Sequence, residues 1–136
     1  MKYLLDTCVL SDGAKGPVDA SLLRWLDGKP EENRFVSVLS LAEILFGILR
    51  LPDGRRKIAL ADWYDKEMRP FYEARVLPFG EAEAIEWARL RAVRPNAAQI
   101  DAQIAATALV HGLTLVTRNV KDFEFEGLNV LNPWRG

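Results

Sequence analysis

Acidic and other polar side chains follow two apolar runs of this sequence at the points where each run ends. Asp6 comes directly after Lys2–Leu5, and a second run, Leu113–Val116, is followed by polar residues: Thr117, Asn119 and Asp122. If both runs are parallel strands, their carboxyl ends lie at one edge of the sheet, where α/β proteins bind ligands. We therefore expect these side chains to share one site.

Two further acids stand in segments that are predicted to be helical. Glu43 lies near the start of an apolar helix between Ala42 and Ile44, and Asp101 lies in the first turns of a later helix. An unpartnered carboxylate in such surroundings is costly to desolvate. Because neither segment contains a cluster of Lys or Arg, the simplest partner is a cation from solvent.

Four carboxylates gathered in one place favour a divalent metal site formed by Asp6, Glu43, Asp101 and Asp122. Two carboxylates about 4 Å apart repel by several kcal/mol, and a divalent ion reverses this repulsion. Ligands that are all oxygen suit Mg²⁺ or Mn²⁺. Such an ion can activate water and stabilise the charge that develops in phosphodiester cleavage. For Asp122, capping of a following turn is an almost equally good interpretation.

Composition limits the class of protein. The chain has 136 residues, of which 49% are hydrophobic and 27% charged, and its net charge is -1. We expect one domain over residues 1–136, which is neither a disordered polyelectrolyte nor a uniformly basic nucleic-acid binder. Cys8 is the only cysteine, so no internal disulfide forms, and a small buried hydrophobe is its simplest interpretation. With no signal-like or membrane-spanning run, a cytoplasmic location is expected.

Short apolar runs alternate with helical patterns along the chain. The predicted strands are 2–5, 34–38, 75–79, 113–116 and 129–131, the third and the last being weaker. The predicted helices are 20–27, 41–51, 55–72, 81–93 and a helix that Asn96–Gln99 opens as a capping box and Gly112 ends. This alternation predicts an α/β fold with a central parallel sheet of four to five strands and helices on both faces.

Four segments together resemble one known family. They are 4–11 (LLDTCVLS), 40–48 (SLAEILFGI), 101–108 (DAQIAATA) and 115–123 (LVTRNVKDF). The chain is identified by them as a PIN domain, and more narrowly it is similar to the VapC and FitB-like toxins of bacterial toxin-antitoxin pairs. The resemblance extends from Met1 to about Pro133.

The resemblance implies a single three-layer α/β/α domain, and a Mg²⁺- or Mn²⁺-dependent endoribonuclease that a cognate antitoxin holds inactive. The acidic positions of the family fall on the same four carboxylates, and Thr117 and Asn119 match polar positions beside the metal. Some relatives carry an acid in place of Asn119. The resemblance also makes Thr7 a candidate contact of the site, through its backbone or its hydroxyl. The resemblance also implies a homodimer and an antitoxin segment lying in a groove near the site.

Contacts to an RNA substrate must come from a local basic patch, because the net charge is near zero. Arg118 and Lys121 are the best candidates, since they alternate with the polar residues of the predicted site. Lys15 and the run Arg55–Lys57 are weaker ones, because a basic run is more often a solvated helix face. The tryptophans on helices, Trp25, Trp63 and Trp87, are expected to pack in the core or in an interface.

Two other classes of protein remain open at this point. One is a PIN-like module that binds RNA or protein without cutting it. The other is a phosphoacceptor receiver domain, which fits less well because Asp6 is followed by Thr7 rather than by a second acid, and because the strand at 75–79 holds no acceptor. His111 beside Gly112 is interpreted as a helix-end residue rather than a general base.

Overall fold

Strands and helices alternate along the chain, as the sequence predicts. The computed structural model describes residues 1–12, 14 and 16–135, and of residue 135 only the backbone. The strands are β1 (Tyr3–Leu5), β2 (Arg34–Ser37), β3 (Val76–Leu77), β4 (Thr114–Val116) and β5 (Val130–Leu131). The helices are α1 (Thr7–Asp12), α2 (Ala20–Asp27), α3 (Val38–Leu49), α4 (Arg55–Trp63), α5 (Arg69–Tyr72), α6 (Glu81–Val93) and α7 (Gln99–His111). Short 3₁₀ turns cover Glu31–Asn33, Glu73–Arg75, Val120–Phe123 and Pro133–Arg135.

The five strands form one parallel sheet in the order β3-β2-β1-β4-β5. The chain therefore adds strands on one side of β1 first and then crosses to the other side, which makes the gap between β1 and β4 the point where the strand order reverses. Ligands of doubly wound sheets bind outside the carboxyl ends of the strands at this point. The order also differs from that of receiver domains, in which the third strand lies beside the first; here β3 is a two-residue edge strand.

Hydrophobic side chains cover both faces of the sheet. Along β1, Tyr3 and Leu5 pack on the face covered by α1, α2 and α3, whereas Leu4 packs on the face covered by α6 and α7. This alternation follows from the twofold side-chain period of a strand, and it confirms the predicted three-layer α/β/α arrangement. The helix tryptophans pack partly buried against these cores, as predicted: Trp25, Trp63 and Trp87. Among the described residues, no helix is long and apolar enough to cross a membrane.

Two helices at the site differ from the prediction. Helix α1, which is absent from the predicted elements, follows Asp6 directly, and its first turn is closed by the N–H of Val9 donating to the Asp6 carbonyl at 3.0 Å. Helix α3 begins at Val38, three residues before the predicted start, because the Ser37 hydroxyl accepts the N–H of Leu39 at 3.0 Å and caps it. A strand residue that is itself a helix cap leaves no loop between the two elements.

The predicted helix over 55–72 is interrupted, and the predicted capping box before α7 is wrong. A wide π-turn, Tyr64–Met68, separates α4 from α5. Pro70 explains it, because proline has no N–H to donate and its ring clashes with the carbonyl four residues earlier. Helix α7 starts at Gln99, after Ala98, with no side-chain cap. Its predicted end is confirmed: Gly112 takes the left-handed conformation (φ 66°) and donates its N–H to the last turn.

Candidate active site

The sheet places Asp6 at the point where the strand order reverses. Its N–H donates to the carbonyl of Val116 at 2.9 Å, which extends the β1–β4 pairing by one residue. The residue is buried, with 6% of its surface exposed. The carboxylate therefore lies just outside the carboxyl ends of two central strands, as the sequence predicts.

Hydrogen bonds fix the orientation of this carboxylate. The hydroxyl of Thr117, itself fully buried, donates to one oxygen at 2.7 Å, and the backbone N–H of Thr7 donates to the other at 2.8 Å. The Thr117 hydroxyl in turn accepts the backbone N–H of Asn119 at 3.0 Å. Burial raises the pKa of Asp6 above its usual value, the hydrogen bonds from Thr117, Thr7 and Cys8 partly offset this effect, and the charge of Asp122 adds to it.

Glu43 reaches the same region from the middle of α3. Because the helix starts at Val38, Glu43 lies about one turn further from the helix start than the sequence predicts. The Thr7 hydroxyl donates to its carboxylate at 2.5 Å. Thr7 thus contacts two of the predicted acids, with its N–H on Asp6 and its hydroxyl on Glu43. Glu43 is less buried than Asp6.

The pKa of Asp101 reflects its electrostatic interaction with the other three carboxylates. It lies in the first turn of α7 and is half-buried. Its pKa is raised to about 6, first by burial and then by the negative charges of Asp122, Asp6 and Glu43. Asp122 is exposed within the 3₁₀ turn Val120–Phe123, so it does not cap that turn. The four predicted acids therefore form one electrostatic group, which we call the acidic cluster.

The carboxylates are neighbours without being in contact. In the described part of the chain, no three His, Cys, Asp or Glu side chains converge closely enough to surround one ion. The bonds that fix Asp6 and Glu43 come from hydroxyl and backbone N–H groups, and neither acid is paired with Lys or Arg in the described residues. The negative charge of the cluster is therefore not compensated by the surrounding side chains.

The predicted basic contacts lie beside the cluster. Arg118 follows Thr117 and is 54% exposed, with one guanidinium nitrogen 3.9 Å from a carboxylate oxygen of Asp12. Lys121 and Asn119 are exposed. Of the weaker candidates, Lys57 pairs with Asp53 on the helix surface, and Lys15 lies outside the described residues.

A mostly apolar groove opens next to the acidic cluster. It lies between α1, α3 and α4 and has a volume of about 240 Å³. Thr7 and Glu43 stand on its wall, and the apolar part is lined by Ile44, Ile48, Leu51, Leu60 and Trp63. Glu43 therefore belongs to both the cluster and the groove.

Contacts that sequence reasoning missed involve Cys8 and Trp134. The Cys8 thiol is half-buried and lies 3.7 Å from an Asp6 carboxylate oxygen and 3.5 Å from the Thr117 hydroxyl, so it is part of the site and not simply a small hydrophobe. Trp134 stacks on Arg118 from the carboxyl-terminal turn. No spacing signal links residues so far apart.

His111 pairs with Glu83 at 3.0 Å, away from the cluster, in agreement with its non-catalytic interpretation.

Comparisons with known proteins agree with this geometry. The PIN domain model matches residues 3–125. A VapC ribonuclease of Sinorhizobium fredii is 34% identical over 135 residues, which cover 96% of each chain. The crystal structure of FitAcB from Neisseria gonorrhoeae superposes with a TM-score of 0.91 at 32% identity, covering 98% of this chain and 99% of that one. A toxin-antitoxin complex from Klebsiella pneumoniae gives 0.69 at 26% identity, covering 97% and 98%. The chain therefore belongs to the PIN-domain family, in the group that includes the VapC ribonucleases.

Proposed function

We propose that this chain is a metal-dependent endoribonuclease and the toxin of a toxin-antitoxin pair. Its similarity to a VapC ribonuclease and to a toxin-antitoxin complex supports the reaction and the class of partner. The observation that carries the proposal is that Thr7 donates its N–H to Asp6 and its hydroxyl to Glu43, while neither acid is paired with Lys or Arg among the described residues. The raised pKa of Asp101, caused by burial and by the charges of the other three acids, supports it. A group of like charges without a basic partner needs a cation to be stable in its ionised form.

The acidic cluster fits a hard divalent cation, and Mg²⁺ or Mn²⁺ is the ion we propose. The four proposed ligand side chains are carboxylates and so offer only oxygen, the ligand that these ions prefer. Mg²⁺ keeps several of its waters and often takes only one or two carboxylates directly. Carboxylates that lie near one another without converging, as these do, are therefore compatible with it. Asp6, Glu43, Asp101 and Asp122 would hold the ion directly or through water.

The protein residues have separate tasks in this proposal. The bound ion would supply an activated water and stabilise the negative charge that develops on the phosphate. Thr117 and Thr7 hold Asp6 in one orientation, and Thr7 also holds Glu43, so these donors keep the ligand oxygens in place before substrate arrives. Asn119 stabilises the Thr117 hydroxyl through its backbone N–H. Asp101, whose pKa is raised to about 6, is suited to accept a proton from the attacking water.

RNA is bound, in this proposal, through its phosphates by Arg118 and Lys121. Both side chains are exposed and follow the strand β4 that ends at the cluster. A nearby positive charge is needed because the acidic cluster itself repels the phosphate backbone.

The antitoxin is proposed to bind in the groove between α1, α3 and α4. Apolar lining suits the hydrophobic face of a helix or an extended segment. Glu43 at the wall offers a carboxylate to a basic side chain of that segment, which would then compete with the metal ion for the same oxygens. A homodimer is proposed on the exposed apolar surface of α3 and α4, where Phe46, Leu49 and Ile58 are each more than 60% exposed.

Cleavage of total cellular RNA by purified, antitoxin-free protein tests the proposed function. We expect products with Mn²⁺ and none with EDTA. Asp6→Asn and Asp101→Asn should each abolish cleavage while the circular dichroism spectrum stays native, and Asp65→Asn, which removes an exposed acid of the π-turn, is the matched control. Affinity for RNA without any product would instead favour a non-cleaving PIN-like module. Undiminished cleavage by the Asp6→Asn, Asp101→Asn double variant would refute the assignment.

A further inference from the structure

The carboxyl-terminal turn of the chain contacts Arg118, the basic residue that directly follows Thr117 of the site. The Arg118 guanidinium carbon lies 4.4 Å from the centroid of the Trp134 ring. Trp134 is in the turn Pro133–Arg135 and packs partly buried against the core, so its ring is a fixed surface. The pairing of Arg118 with Asp12, at 3.9 Å, is at the limit of an ion pair. The ring contact therefore lies well within the range of a cation–π interaction, whereas the ion pair lies at the limit of its own range.

The backbone of Arg118 is fixed to the site at the same time. Its N–H donates to the Cys8 thiol at 3.5 Å, and the preceding residue, Thr117, binds the Asp6 carboxylate. The long side chain thus starts beside the acidic cluster and is directed by Trp134 at its other end. An arginine without this contact would be free to turn towards the uncompensated carboxylates and neutralise them.

The contact with Trp134 leaves the N–H donors of the Arg118 guanidinium available to a ligand. The Trp134 ring lies against the guanidinium carbon, whereas the N–H donors of a guanidinium lie in its plane and bind phosphate oxygens from its edge. The side chain is 54% exposed in this position, so the edge can be reached from solvent. A fixed donor loses less conformational freedom on binding than a mobile one.

We propose that Trp134 is a positioning residue, which holds Arg118 at the mouth of the acidic cluster so that it binds a phosphate of the RNA chain. This inference rests on the proposed function, since it assigns the substrate contact of the same site. In this proposal Trp134 acts through Arg118.

Two substitutions of Trp134 distinguish the loss of its aromatic ring from the loss of its apolar packing. The indole N–H of Trp134 has no hydrogen-bond partner among the described residues, so Trp134→Phe keeps an aromatic ring and breaks no such bond. Trp134→Leu keeps apolar bulk without the ring. Trp87→Leu is the matched control. Trp87 also lies under an arginine (Arg91, 5.8 Å from the ring), and its indole N–H also has no partner in the described part of the chain, but it lies on α6.

The test measures the binding of a fluorescent single-stranded RNA in EDTA, and KM and kcat for its cleavage with Mn²⁺. An exposed cation–π contact corresponds to a factor of about two to five in an equilibrium. We expect Trp134→Leu to raise both Kd and KM by about this factor with kcat changed much less, Trp134→Phe to recover most of the loss, and Trp87→Leu to leave Kd unaltered. In an Arg118→Gln background, Trp134→Leu should have no further effect.

Outcomes that contradict the inference are distinct from those that contradict the function. Wild-type Kd and KM in folded Trp134→Leu, or the same loss again in the Arg118→Gln background, would overturn the role of Trp134 while cleavage by the wild type stands. If Trp134→Leu does not fold, Arg118→Lys replaces it, because lysine keeps the charge but loses the flat face; wild-type binding by this variant would overturn the inference. A wild-type protein that neither binds nor cuts RNA overturns both proposals.

Discussion

Asparagine in place of Asp101 should stabilise the metal-free protein. The pKa of Asp101 is raised from 3.8 to about 6, first by burial and then by the charges of the other three acids. A rise of about 2 pK units corresponds to about 3 kcal/mol of differential interaction. Because the side chain is only half-buried, solvent screening reduces the effect to about 1–2 kcal/mol. For a chain of this length that is a rise of about 3–7 °C in Tm.

The predicted gain depends on pH with a definite sign. A carboxyl with a raised pKa binds its proton more tightly in the folded state, so the wild type loses stability as the pH rises from 3.8 to about 6. Asparagine has no proton to lose. The difference in free energy of unfolding between Asp101→Asn and the wild type should therefore be close to zero at pH 3.5 and reach its full value above pH 6.

Thermal and urea unfolding in EDTA at pH 3.5, 5 and 7.5 measures this difference, and Asp65→Asn controls for the loss of one charge. Addition of Mn²⁺ at pH 7.5 should reduce or reverse the difference in free energy of unfolding between Asp101→Asn and the wild type, because the ion stabilises the wild type by binding the folded state alone. An Asp101→Asn variant that is no more stable than the wild type at pH 7.5, or equally stabilised at pH 3.5 and 7.5, would refute the reasoning.

Three further substitutions address other parts of the molecule. Gly47 lies in α3 on the groove, and apart from its own helix a Cβ added there would meet no atom of the described residues within 4 Å. Gly47→Trp should weaken antitoxin binding, measured by calorimetry, on the order of tenfold, whereas Gly47→Ala should bind normally and raise stability by about 0.5–1 kcal/mol. Thr117→Val removes the hydroxyl from buried Asp6 and should cost about 1–3 kcal/mol in urea unfolding at pH 7, with Thr117→Ser recovering most of it. Burial raises the pKa of Glu83, but hydrogen bonds from the N–H groups of Gly80 and Glu83 and from His111 outweigh this effect and lower the pKa. Glu83→Gln should therefore reduce the free energy of unfolding by about 1–2 kcal/mol above pH 5, and by progressively less as the pH falls below 4.

The position of the site could be predicted from sequence because it depends on strand ends. Asp6 and Thr117 each follow a short apolar run, and parallel pairing of β1 with β4 brings the two residues within hydrogen-bond distance. Nothing more than the parallel direction of the strands is needed for this. The strands of the sheet could be predicted equally well from the sequence, because each of the five observed strands overlaps a predicted apolar run.

Other features depend on contacts that leave no pattern in the sequence. Helix α3 starts three residues early because Ser37 belongs to a strand and caps a helix, two roles that a local pattern treats as exclusive. This shift moves Glu43 from the start of its helix to the middle, where it lies on the groove as well as at the cluster. The stacking of Trp134 on Arg118 joins two turns through tertiary packing alone.

The unequal support of the two best-positioned acids suggests how an inhibitor and a metal ion would share this site. Asp6 is buried and accepts hydrogen bonds from Thr117 and Thr7, so its orientation is fixed by the fold itself. Glu43 accepts its bond from the Thr7 hydroxyl and remains half-exposed on the wall of the groove. A segment filling the groove would therefore reach Glu43 without disturbing Asp6. Because binding energies of linked ligands are reciprocal, an antitoxin that engages Glu43 weakens metal binding by the same factor by which metal weakens the antitoxin.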